Sequence, residues 1–86
     1  MNEQITLFFN KDKKHANDYL VKTVLTQELE NYTLISYYMI NGKLTPYRSR
    51  LKLSDKKLNC FLLHCMKSKF FDKIERQFIM EVDLNE

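Results

Sequence analysis

Cys60 and His64 stand at i and i+4 in the stretch LNCFLLHCM, a spacing that can set two metal-ligating side chains on one face of a helix. A tetrahedral site needs two more donors, and they would have to be found without any Cys-x-x-Cys or second histidine cluster. Cys65 follows Cys60 by five positions, about 140° around a helix, so the two thiols cannot bond to each other within it. The expectation is therefore two free thiols, a surface or half-buried imidazole, no metal and no cofactor. Gly42 is the only glycine, so no glycine-rich phosphate loop can form. Glu75, Glu81 and Asp83 fall on one side of an alternating segment and could be drawn as a carboxylate cluster, but alternation alone accounts for them as a solvated face. No residue is assigned a catalytic role, and the chain is read as a non-enzyme.

The cations are more informative. Residues 32–73 hold nine Lys and Arg against Asp55 and Asp72, a net of +7, while residues 1–31 carry −1 and residues 74–86 carry −3. A concentrated basic region favours anionic partners. Within it, Arg48, Arg50 and Lys52 recur at every second position, the period that places side chains on one face of a strand.

The element that positions them is a β-hairpin over Tyr32 to Leu53. Asn41-Gly42 lies between two β-branched and aromatic runs, and a two-residue type I′ turn demands positive φ at both central residues, which Asn and Gly accept. That turn pairs Ile40 with Lys43, Met39 with Leu44, Tyr37 with Pro46, Ile35 with Arg48 and Thr33 with Arg50. One face then collects Tyr32, Leu34, Tyr38, Ile40, Tyr47 and Leu51 as core. The other sets Ile35, Tyr37, Met39 and Leu44 beside Arg48, Arg50 and Lys52.

Around the hairpin, Gln4 to Phe9 alternates as a strand. After a cap at Asn10 or Asp12, the stripe Leu20, Val21, Val24, Leu25 and Glu28 has helical spacing and reads as a first helix ending near Asn31. Ser54 and Asp55 open a second helix with Leu58, Phe61, Leu62, Cys65 and Met66 on its buried face, ending around Ser68. Phe70-Phe71 turn inward as a plug, Asp72-Lys73 form the turn, and Ile74 to Leu84 alternate as a last strand, with Arg76 the one exception on its apolar side. The order β-α-β-β-α-β is that of a single α+β domain over residues 1–86, the ferredoxin-like split βαβ arrangement or a variant strand order, with two helices on one face of a four-stranded sheet. Pro46 lacks the N–H a central strand needs, so the hairpin's second strand is either an edge, as in an order 3-2-1-4 of the four expected strands, or paired on its far side only beyond Pro46.

The uncovered face of this sheet presents Phe8, Ile35, Tyr37, Met39, Leu44, Arg48, Arg50, Lys52 and Ile79, a contiguous apolar and cationic surface of the kind that marks a contact site. Rings beside arginines suit single-stranded nucleic acid, although Thr45 to Leu51 lacks the glycine-aromatic pattern of an RNA-recognition motif. A protein partner, or a second copy of the chain forming a homodimer through the open face, would satisfy the same surface. The alternative function is accordingly a protein-directed regulator or inhibitor of a host factor, of the phage or mobile-element type. No apolar run approaches the roughly 18 residues of a membrane span and the MNEQ opening has no signal-peptide character, so a cytoplasmic protein is expected.

Overall fold

Five antiparallel strands form one sheet in the order β4-β3-β2-β1-β5. The computed structural model describes residues 2–52 and 54–79, without the side chain of Asp55. They comprise β1 (Asn2–Phe9), a 3-10 turn (Lys13–His15), β2 (Asp18–Glu28), β3 (Asn31–Ile40), β4 (Lys43–Leu51), α1 (Asp55–Met66) and β5 (Phe71–Ile79). Leu53, the residues of the last expected strand from Met80 to Leu84, and with them Glu81 and Asp83, lie outside the described residues. The ferredoxin-like expectation of two helices on a four-stranded sheet is incorrect: among the described residues there is one α-helix, and the segment read as the first helix is β2.

A bulge explains that misreading. Pairing of β2 with β3 slips between Leu20 and Lys22, so Leu20 faces the same side as Thr23 and Leu25 although their spacing is three and then two. Two period-two segments joined out of phase produce apparent helical spacing. The β-branched residues Val21, Thr23, Val24 and Thr26 are the composition of a strand. The expected cap at Asp12 does form, with its Oδ1 accepting from the Lys14 N–H at 2.9 Å, but it heads only the three-residue 3-10 turn.

The hairpin register is as expected at every predicted pair. Asn41 and Gly42 have φ of 50° and 80°, and the Asn41 N–H donates to the Asn17 carbonyl at 2.9 Å, tying the turn to the start of β2. In this register residues 37 and 46 are not hydrogen-bonded to each other, so the missing N–H of Pro46 points outward. It meets no ladder, because β4 is an edge. Of the two options left open by Pro46 the edge is the one adopted, with β2 inserted between the hairpin and β1.

Since every neighbour is antiparallel, β4 and β5 run parallel at opposite edges, and the chain must cross the sheet between them. α1 does so on one face. Ser54 caps it through its Oγ, which accepts from the Lys57 N–H at 3.3 Å, and Leu58 and Leu62 close over Ile5, Leu7, Leu25 and Tyr32. Ile5, Leu7 and Leu25 are fully buried, each contributing about 1.5–3 kcal/mol. Phe61 and Cys65 pack at the margin, whereas Met66 is exposed, contrary to its expected place in the core. α1 ends at Met66 rather than Ser68, and the reversal runs through residues 67–70, so Asp72 and Lys73 belong to β5 instead of the turn. Phe71 does pack inward, edge-on to Phe9 at 6.3 Å. Arg76 breaks the alternation of β5 because it pairs with Glu3 across β1.

The other hairpin turn, Leu29–Glu30, holds Leu29 at φ 55° with its side chain exposed. A non-glycine residue in this region is strained by roughly 1–2 kcal/mol. Leu29→Gly should therefore raise stability by about 0.5–1 kcal/mol after glycine's own entropic cost. Gly42→Val should lower it by about 1 kcal/mol or more, since open space around the site does not relieve the φ of a β-branched residue. Thermal melting of the two variants checks both signs.

Candidate nucleic-acid interface

The strand registers place side chains in rows that cross all five strands on the face opposite α1. The first row reads Lys73, Phe8, Lys22, Tyr37, Pro46, each directly opposite the next. It alternates cation and ring. The Lys73 ammonium lies 5.0 Å from the centre of the Phe8 ring, and that of Lys22 lies 5.0 Å from Tyr37, both within cation–π range. The second row is Glu75, Thr6, Val24, Ile35, Arg48, and the third is Gln77, Gln4, Thr26, Thr33, Arg50. The third is knit by side-chain amides: Gln77 Nε2 donates to Gln4 Oε1 at 2.8 Å, and Gln4 Nε2 donates to Thr26 Oγ1 at 3.3 Å.

Of the residues expected on this surface, Phe8, Ile35, Tyr37 and Met39 are half-buried within it and Arg48 and Arg50 are exposed on β4. Leu44, opposite Met39, is half exposed, and Ile79 ends the face on β5. Lys52 lies just past the end of β4 and joins no row. Lys22, Val24 and Lys73 join the face beyond what the sequence spacing predicts, since that spacing gives a helix over β2 and a turn at Asp72-Lys73. Their signal was the run of β-branched residues flanking Lys22. The face carries Lys22, Lys73, Arg48 and Arg50 against Glu75, which Lys73 engages at 3.3 Å, and Glu28 at the far end.

The opposite face has its own feature. The residues expected as core on the hairpin divide: Tyr32 is buried beneath α1, but Tyr38, Ile40 and Tyr47 line an open groove of about 890 Å³ beside Leu20, His64 and Phe70. The expected first helix would have covered them; that segment is β2 instead, and among the described residues Tyr47 is 54% exposed and meets Tyr38 edge to face at 5.4 Å.

The groups considered for chemistry remain apart. His15 Nδ1 contacts Asp12 Oδ2 at 2.9 Å; this bond, aided by the Lys14 N–H, holds the Asp12 carboxyl below its ordinary value despite some desolvation. Cys60 and His64 are both exposed, and among the described residues no three His, Cys, Asp or Glu side chains converge as metal ligands. No helix among them is long and apolar enough to cross a membrane. No family model matches the chain, and comparisons with curated proteins and with solved structures gave no match.

Both cysteines are free. Cys60 is open to solvent, whereas burial raises the pKa of the Cys65 thiol and lowers its thiolate fraction. A thiol reagent at neutral pH should modify Cys60 first and Cys65 several-fold more slowly, as followed by mass spectrometry of the peptides; equal rates would show that α1 is rotated from the position described.

Proposed function

We propose that this protein is a cytosolic, non-enzymatic module that binds single-stranded nucleic acid through the open face of its sheet. The observation that carries the reading is the row Lys73, Phe8, Lys22, Tyr37, in which each ring able to stack on a base adjoins a cation able to meet a phosphate. Arg48 and Arg50 extend the positive surface to the edge strand. Duplex DNA fits poorly: five strands at ~4.8 Å spacing make a sheet ~19 Å across, too broad for a major groove ~12 Å wide. An exposed free thiol at Cys60 suits a reducing compartment.

One observation favours a second reading. Met39 and Leu44 on one side of the row and Ile35 and Val24 on the other make apolar surface continuous through Tyr37 and Pro46, which a protein partner would bury and a nucleic acid would use less fully. The two readings predict opposite orders of mutational effect. For nucleic acid, Arg48→Ala and Arg50→Ala should each weaken binding and reduce the salt slope by about 0.7, and Tyr37→Ala should cost ~1–3 kcal/mol with little change in slope. For a protein partner, Ile35, Tyr37 and Met39 should dominate and the arginines should act mainly on association rate. Titration of single-stranded DNA and RNA at two salt concentrations decides; no binding tighter than ~100 μM at low salt contradicts the nucleic-acid reading.

A further inference from the structure

The open face offers a single strand two directions of travel, along the β-strands or across them. Along β3 the path meets Met39, Tyr37, Ile35 and Thr33, which is one ring and no charge. Along β1 it meets Phe8, Thr6 and Gln4, again one ring and no charge. Along β4 it meets Leu44, Pro46, Arg48 and Arg50, which is charge without a ring. Along β2 it meets Tyr19, Lys22, Val24 and Thr26, one ring and one cation, and along β5 Lys73, Glu75 and Gln77, charge without a ring. The row Tyr19, Met39, Leu44 has a single ring. Two rings alternating with cations occur only in the crossing direction, in the row of Phe8 and Tyr37.

We propose that the strand crosses the sheet at right angles to the β-strands, with one base on Phe8, another on Tyr37 and the phosphodiester between them held by Lys22. The inference rests on the nucleic-acid reading and specifies its ligand. Phe8 and Tyr37 stand on β1 and β3, two strand spacings apart, or roughly 10 Å. Bases stacked on one another rise only about 3.4 Å. A strand seated on both rings must therefore give up its own base stacking, and the ligand for which that is easiest is a flexible pyrimidine strand, whose bases stack weakly on each other. Purine runs, which stack strongly, must be pulled apart first. In the free protein the Lys22 and Lys73 ammonium groups lie over Tyr37 and Phe8. An arriving base takes the ring face, and the displaced ammonium, still one strand away, is positioned for the phosphate. The recognised class is thus a short, pyrimidine-rich single strand.

The test uses end-labelled oligonucleotides in fluorescence anisotropy with the full chain: dT and dA octamers, and an octamer of abasic sugar-phosphate as the backbone control. The dT octamer should bind about ten-fold more tightly than the dA octamer. Phe8→Leu and Tyr37→Leu, which keep an apolar side chain and whose folding is checked by circular dichroism, should each weaken dT binding by about five-fold or more and leave abasic binding unchanged. Lys22→Gln should lower the salt slope for both ligands by about 0.7. If Tyr37→Leu weakens dT binding and Phe8→Leu does not, the strand does not cross the sheet, while the nucleic-acid reading stands. Equal or tighter binding of dA overturns the pyrimidine inference in the same way. Absence of binding by every oligonucleotide overturns both.

Discussion

Leu58 and Leu62 of α1 rest on Ile5, Leu7 and Leu25, and this contact is the constraint from which the remaining surfaces follow. The chain leaves the sheet at β4 and returns at β5, on the opposite edge, so its single described helix has to cross one face. Twelve residues of helix extend ~18 Å, comparable to the ~19 Å width of five strands. One such helix, ~10 Å in diameter, shields a band of the sheet and no more. Outside that band lie the Tyr38 and Tyr47 groove on the same side and the whole of the opposite face. Among the described residues no other element covers them, and the second face is built from residues that tolerate water in part: rings, β-branched side chains and long cations.

The face opposite the helix is held together sideways. Its Lys22 and Lys73 side chains lie against rings on neighbouring strands, Gln4 bridges Thr26 and Gln77, and Lys73 also meets Glu75. Each of these exposed or half-buried contacts contributes about 1 kcal/mol. They are weak enough to be exchanged for a ligand, and they keep the side chains extended along the sheet. Such a surface adds little to stability, which comes from the other face.

The parts of this fold legible in sequence are those that local chemistry dictates. Asn41-Gly42 specified its turn and every pair of the β3–β4 register, and with it the common face of Tyr37, Arg48 and Arg50. Pro46 narrowed its strand to an edge or one paired on its far side only beyond the proline, and the edge is what forms. Ser54 marked the start of α1, and Phe8 was placed correctly by simple alternation. What failed was β2, for two physical reasons. The bulge at Val21 shifted the phase of its alternation, and the turn that follows uses Leu29 at positive φ, where no glycine or asparagine announces a hairpin. Reading β2 as a helix removed the central strand, added a covering helix that does not exist, and so hid both the groove and Lys22. The resulting ferredoxin-like order was the natural consequence of one misassigned element.

The central claim is that the face carrying Phe8, Lys22 and Tyr37 is the binding surface, and the most direct measurement is a residue-resolved one. Backbone amide shifts of the isotopically labelled protein, followed by nuclear magnetic resonance as a short single-stranded oligonucleotide is added at low salt, locate the contact without mutation. The account predicts that the largest changes trace a band across the strands through Lys73, Phe8, Lys22 and Tyr37, with Arg48 at its edge. Changes centred instead on Tyr38, Tyr47 and His64 around the groove, or no changes at all, would contradict it.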